Sequence, residues 1–255
     1  MSGIALQKGI IYGPILSRRL GRSLGINVLP IDCKVCSFHC VYCEYGRTDI
    51  ITPHPACTTL PTLEEVCQAV HSALKKPRTI ETITFSGNGE PTLHPQFPEI
   101  VCAVMAIRDA LRPQAQLAIL SNSSTIHKIE IRKALEIIEA PMMKIDAGDA
   151  GTFKAINRPS RGVDFYEIVN GLKSISHLIV QTMFIDGAIT NIRGEAYEAW
   201  VDLVGELKPK KVHIYTIERP TAEFGVKRVA PEKLQSIAED IHRRFGIRGE
   251  AYWRD

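Results

Sequence analysis

Six apolar, strand-like runs alternate with six helix-like stretches along this chain, and that alternation narrows its fold more than any other feature. The runs are 23–30, 80–86, 115–121, 141–146, 177–185 and 211–217; the helical stretches lie near 62–76, 96–111, 125–138, 164–175, 194–207 and 231–245. Thr62 with Glu65 has the spacing of a capping box, and Asp164 with Glu167 resembles one. Strand–helix–strand repeats imply right-handed crossovers and a parallel sheet. The strands are apolar nearly throughout, as a sheet covered on both faces requires. A closed barrel takes eight such units, so six predict an α/β fold with an open, partial (β/α)6 barrel. No low-complexity tract or linker breaks the pattern. One domain over residues 1–255 is therefore expected, with a short lead-in at 1–22 and a C-terminal addition at 246–255.

The length suits a single α/β domain, and 45% hydrophobic with 23% charged residues is a globular balance that can bury a large core. A formal net charge of only +3 gives no global field for nucleic acid, which is not expected as a partner. No run of about 18 apolar residues occurs, so no membrane span is expected, and the N-terminus lacks a signal-peptide pattern. The thiols are clustered rather than arranged as a paired framework, which points to a reducing compartment, the cytoplasm. Cys67 and Cys102 fall on the apolar faces of predicted helices, where a thiol packs as a small hydrophobe. Cys57 sits in a Pro-rich loop.

Chemistry concentrates after the first strand, in Cys36-Ser-Phe-His-Cys40-Val-Tyr-Cys43. The C-x3-C-x2-C spacing offers three thiolates from one short loop. A four-iron, four-sulfur cluster has four iron corners, and thiolate is their usual ligand. Three ligands leave one iron open, as a chemical site needs and a structural site does not. Adding Cys33 gives C-x2-C-x3-C-x2-C, yet a four-cysteine zinc site usually separates its two knuckles by a longer stretch. A ferredoxin run has a different order of spacings. Cys33 is then a bystander near the cluster, with zinc or buried thiols as the rival readings.

The spacing, with Tyr42 just before the last cysteine, resembles the signature of the radical S-adenosylmethionine superfamily. A second motif, SGNGEPT at 86–92, follows the next strand. Its glycines permit close backbone approach and Glu90 can receive an ammonium group. Gly87, Asn88, Gly89, Glu90 and Pro91 together resemble the superfamily's G-G-E-type element, which implies a grip on the methionyl amine of S-adenosylmethionine. Ser121 and Asn122 end the third strand with short polar side chains suited to ribose hydroxyls, or else begin a turn in which Ser124 or Thr125 caps the next helix. Lys144 and Asp146 share one face at the end of the fourth strand. They form a mutual salt bridge or meet the cofactor carboxylate or substrate. Ile217, ending the last strand, packs against adenine or the core.

Candidate substrate contacts are cationic or polar and scattered. Arg18, Arg19 and Arg22 cluster beside Gly21 and Gly25, either to bind a phosphate or carboxylate or as surface. Arg158 and Arg161 follow the fourth strand, Gln181 lies on the fifth, and Arg219 follows the sixth.

Four segments, GPILSRRLGRSLGINVLP, CSFHCVYCEYGRT, FSGNGEPTLHP and IYTIERPTAE, resemble one branch of this superfamily, the iron–sulfur oxidoreductases grouped with the tRNA wyosine-synthesis enzymes. The likeness covers about 13–223. It implies one [4Fe-4S] cluster on Cys36, Cys40 and Cys43, S-adenosylmethionine at the open iron, and reductive cleavage to a 5′-deoxyadenosyl radical that abstracts hydrogen from a small-molecule or peptide substrate. An electron donor such as flavodoxin or ferredoxin is implied as partner. Tyr42, Phe38 and Phe85 would help form an apolar shell around the radical, and no acid–base residue is required. The wyosine enzymes carry further cysteines that hold a second cluster, and no second cysteine constellation exists here, which argues against wyosine synthesis itself. The alternatives are an activating enzyme for a glycyl-radical partner and a non-catalytic iron–sulfur electron-transfer protein.

Overall fold

The structure is a computed structural model and describes residues 3–55 and 59–254; Cys57 lies outside the described residues. The chain begins with β1 (Ile11–Ser17) and β2 (Gly21–Ile26), followed by two short strands in the cysteine segment, β3 (Val35–Cys36) and β4 (Ile50–Ile51). Helix α1 (Leu63–Leu74), β5 (Thr82–Phe85), α2 (Phe97–Leu111), β6 (Gln116–Ser121), α3 (Ile129–Glu136) and β7 (Ala140–Lys144) come next. Two helices, α4 (Ala150–Asn157) and α5 (Phe165–Leu172), precede β8 (Ile179–Phe184) and a short β9 (Asp186–Gly187). The chain closes with α6 (Gly194–Leu207), β10 (Lys211–Thr216), a short β11 (Val226–Lys227), α7 (Pro231–Phe245) and β12 (Gly249–Tyr252).

The main sheet runs β1-β2-β5-β6-β7-β8-β10-β12. Every pair in it is parallel except β1 with β2. It is an open half-barrel with helices on its outer face, the partial (β/α)6 barrel expected from the alternation. The six sequence-predicted strands are β2, β5, β6, β7, β8 and β10. The two ends of the chain supply more than a lead-in and an addition: β1 pairs antiparallel on one edge, and β12 extends the other as a seventh parallel strand. Both escape a periodicity reading because neither has a fully buried face; β12 is half-buried along its whole length.

Local signals explain the helix ends. Thr62 and Glu65 close a full capping box at α1, and Asp164 caps α5 by accepting from the backbone N–H of Tyr166 and Glu167. Helix α3 starts later than predicted, at Ile129. Ser124 is instead bonded to Ser37 Oγ at 2.6 Å and Thr125 to Thr92 Oγ1 at 2.5 Å, so neither caps the helix.

The core lies between the outer face of the sheet and the helices, with Leu24, Ile83, Phe85, Leu117 and Val180 meeting Val66, Ile100, Val101 and Trp200. Cys67 is half-buried there, but Cys102 is exposed. On α2 the buried line is Phe97, Ile100, Val101, Val104 and Arg108, and Cys102 faces away from it. Inside the half-barrel, Leu20, Ala118, Ala140, Met142 and Ile179 form an apolar floor. No helix among the described residues is long and apolar enough to cross a membrane.

Candidate active site

The cysteine loop crosses the C-terminal ends of the strands and is tied down on two sides. Backbone N–H groups of His39 and Val41 donate to the carbonyls of Asn157 and Ile156 at 3.0 and 2.9 Å, which fixes the loop to the end of α4. On the other side Val35 pairs with the glycine loop: its N–H donates to Asn88 O at 3.0 Å and its carbonyl accepts from Glu90 N at 3.2 Å. That pairing explains the glycines. Gly89 has φ +143°, and a Cβ there would stand 1.6 Å from Val35 O; Gly87 has φ +139°, and its Cβ would meet Asn27 Oδ1 at 2.5 Å. Only glycine satisfies both the dihedral and the space.

Each of the three thiols meets a different N–H donor. Asn122 Nδ2 reaches Cys36 Sγ at 3.4 Å, Asn157 Nδ2 reaches Cys40 Sγ at 3.4 Å, and Lys34 Nζ reaches Cys43 Sγ at 3.0 Å. Burial, with Cys40 and Glu90 nearby, pushes the Cys36 thiol up to about 12; burial, with Asp146 and Cys43, pushes Cys40 up to about 11. A donor aimed at sulfur is wasted on a thiol and useful to a thiolate, so the surroundings fit three sulfurs whose protons are displaced by metal. Among the described residues no three His, Cys, Asp or Glu are placed to share a single ion. The described cysteines form no disulfide, and Cys33 is half-buried beside the loop.

Glu90 links the glycine loop to this set. Its carboxylate is 2% exposed. Oε1 accepts from Thr92 N (3.1 Å), Thr92 Oγ1 (2.6 Å) and Ser121 Oγ (2.9 Å), and Oε2 accepts from Asn122 N (2.5 Å). Burial raises its pKa and those four donors oppose the rise. Oε2, with one partner, keeps room for a further donor. Pro91 opens a 3₁₀ turn whose N-cap is Glu90.

Several predicted contacts have internal tasks. The Asn88 side chain is spent on Gln7 and Pro30: Nδ2 donates to both carbonyls and Oδ1 accepts from Gln7 N at 2.7 Å. Ser121 Oγ is occupied by Glu90 and by Ser123 N, and Asn122 by Cys36, Ser37 and Ser124 N. Both hold the glycine loop and the cysteine loop together. Ile217 packs with Tyr42, Val41, Ile156 and Met183 beside Cys40.

Lys144 and Asp146 do share a face, but Nζ and Oδ1 are 3.9 Å apart and each has nearer partners. Lys144 donates to Tyr215 OH at 2.9 Å. Asp146 accepts from Tyr42 OH, from Asn157 Nδ2 at 2.7 Å and from Met183 N at 2.9 Å, so it orients the residue that faces Cys40. Burial works against the Lys144 charge, and Asp146, Tyr215 and Cys40 outweigh it, leaving its pKa above the usual value.

The substrate candidates separate into two groups. Arg19 and Gln181 meet inside the half-barrel at 2.9 Å. Arg18 and Arg219 line the same cavity, paired with Glu218 and Glu44. Arg22 and Arg161 are exposed outside it, and Arg158 pairs with Glu223 on the surface at 2.7 Å. Lys34, Asn157 and Tyr12 also reach the site, and none of them has a spacing signature along the chain.

A family described as "Radical SAM superfamily" matches residues 31–207. Over 237 residues the chain is 32% identical to a UPF0026 protein of Methanocaldococcus jannaschii, covering 90% of this chain and 69% of that one. It is 29% identical over 240 residues to a protein named GTPase Obg in Brachyspira hyodysenteriae, covering 93% of this chain but only 34% of that longer relative. Among solved structures, a radical SAM methyltransferase from Sphaerobacter thermophilus superposes with a TM-score of 0.66 at 15% identity, over 93% of this chain and 67% of that one. That likeness is one of fold.

Proposed function

Since the chain belongs to the radical SAM superfamily, enzymes built on a [4Fe-4S] cluster and S-adenosylmethionine, we propose that Cys36, Cys40 and Cys43 each take one iron and that Glu90 receives the methionyl amine beside them. When bound, the two cofactors supply reductive cleavage to a 5′-deoxyadenosyl radical that abstracts hydrogen from a substrate. The residues around them bind, orient and exclude water. Glu90 Oε2 accepts an ammonium while Ser121, Asn122 and Thr92 hold the carboxylate still. Lys144, fixed by Tyr215, is the candidate for the cofactor carboxylate. Asp146 keeps Tyr42 and Asn157 in place at Cys40, and the apolar cluster of Tyr42, Met183 and Ile217 keeps solvent from that side.

One observation carries this reading: Asn122 bonds both Glu90 and Cys36, so the amine-binding carboxylate and one cluster ligand belong to a single buried network. A simple electron carrier has no use for that link. The substrate is a small molecule or peptide, the electron comes from a flavodoxin or ferredoxin, and the domain spans 1–255, since strands from both ends join one sheet. A clustered set of thiols, with no disulfide among the described residues, supports a cytoplasmic setting.

The test is anaerobic reconstitution with iron and sulfide, reduction by dithionite, and an assay for 5′-deoxyadenosine. Wild type is expected to form the nucleoside and Cys40→Ala to form none. A loaded, reducible cluster that never cleaves S-adenosylmethionine would overturn the proposal.

A further inference from the structure

We propose that the substrate is a small anionic molecule, a carboxylic acid or a phosphate ester, whose charged group is bound by Arg19 inside the half-barrel. This rests on the function proposed above and names the substrate class for that site.

A cavity of about 360 Å³ opens along the concave face of the sheet, from the end of the cysteine loop down to the β1–β2 turn. Its volume is that of a small-molecule site. Four arginines and two glutamates are the charged residues on its wall. Three of the arginines have a carboxylate partner: Arg18 and Arg254 share Glu218, and Arg219 pairs with Glu44 at 3.2 Å. Arg19 is the lining cation that has no carboxylate among the described residues, although it is half-buried. Desolvating a cation without a counter-ion is costly, and a site that tolerates the cost gains when an anion arrives.

Arg19 is held as a receptor would be. Ser17 Oγ accepts from the backbone N–H of Arg19 and Leu20, the Leu20 carbonyl accepts from Thr82 Oγ1 at 2.7 Å, and Leu20 itself is packed into the apolar floor. The backbone under Arg19 is thereby fixed. Above it the guanidinium carbon lies 4.7 Å from the centroid of the Tyr215 ring, and Nη1 donates to Gln181 Oε1. Gln181 is oriented in turn by its Nε2 bond to Met142 O at 3.0 Å. The Nη1 bond to Gln181 is the one hydrogen bond that the Arg19 side chain makes among the described residues, so most of its five N–H donors are left for a ligand. The planar fork of arginine suits a carboxylate or phosphate bidentately. Tyr12 and Tyr45, whose hydroxyls are tied to Ser86 and Gln7, offer ring surface to the organic body of such a molecule.

The experiment is calorimetric titration of the reconstituted holoenzyme, with S-adenosylmethionine present, by inorganic phosphate and separately by succinate. Wild type should bind at least one anion; phosphate alone points to an ester, succinate alone to an acid. Arg19→Gln should weaken that binding about tenfold or more, the worth of a charged hydrogen-bonded contact. Arg243→Gln, at an exposed position on α7, should leave it unchanged. If Arg19→Gln fails to fold, judged by iron content and melting temperature, Arg19→Lys keeps the charge, loses the fork, and should still bind more weakly. Wild type that binds neither anion at millimolar concentration, or Arg19 variants that bind as wild type does, would overturn the inference. 5′-Deoxyadenosine formation in the same samples separates the two proposals: cleavage without anion binding sinks only this one, and absence of cleavage sinks the earlier one.

Discussion

Lys34 brings a side-chain nitrogen to within 3.0 Å of Cys43 Sγ while only 4% exposed, and its second bond runs to Gly46 O at 2.8 Å. A positive charge held against a ligating sulfur favours the reduced, more negative state of the group that sulfur serves. Lys34→Met is therefore expected to lower the midpoint potential in a redox titration followed by electron paramagnetic resonance, and to slow nucleoside formation by roughly 10–100-fold. An unchanged potential would refute the electrostatic role. Glu90→Gln keeps the shape of its buried site and removes the charge. Its cost should fall on S-adenosylmethionine affinity, weaker by roughly tenfold to a hundredfold in equilibrium binding, because a hydrogen bond to a charged group contributes about 1.5–3 kcal/mol. Cys36, Cys40, Cys43 and Glu90 are legible in the sequence because their chemistry is written in local spacing. Lys34 and Asn157 are not: Lys34 meets Cys43 through the internal fold of the cysteine segment and Asn157 meets Cys40 through the docking of α4, and neither has a signature along the chain.

At the level of elements, the glycine loop and the cysteine loop are one unit joined at Val35. Gly89→Ala places a Cβ against Val35 O and forces a non-glycine residue to φ +143°, so the two loops must separate. The expected outcome is a protein with native far-ultraviolet circular dichroism that reconstitutes little iron; full iron loading would show that the loops need not touch. The same scale explains which elements a reader of the sequence finds. The strands β5 and β8 are buried at every residue and declare themselves as apolar runs. Strand β1 contains Gly13 and Pro14 and alternates irregularly, and β12 has four half-buried residues. Each gains its structure from a neighbour already in place, which a pattern search along the chain does not register. The predicted barrel was thus right in kind and short at both edges.

Across the whole molecule, the joint between β12 and the rest of the sheet contains a buried histidine whose titration is expected to lower stability in acid. His213 on β10 lies opposite Glu250 on β12, fully buried, with neither ring nitrogen in a hydrogen bond. Nε2 is 3.2 Å from Glu250 Oε2 but off-line, and the ring meets that of Tyr252 edge-on at 5.3 Å. Burial, reinforced by Arg19 and Lys211 and opposed by Glu250, pushes its pKa down to about 3. An unfolded histidine titrates near 6.5, so below that pH the unfolded chain takes up a proton that the folded chain refuses. Stability is fully present above about 6.5 and is lost as pH falls toward about 3. At pH 5 the loss from this one group amounts to about 2 kcal/mol. Glu250, whose own pKa is lowered, contributes in the same direction but only further into acid. His213→Leu removes the titrating ring at similar volume, so its loss of stability between pH 7.5 and pH 5 should be smaller than wild type's by about that amount. Urea midpoints at the two pH values measure the difference; His39 and His94, also lowered by burial, are present in both proteins and cancel. Equal pH slopes for wild type and variant would mean that β12 opens before the ring is protonated, and that the edge strand rather than the histidine limits stability in acid.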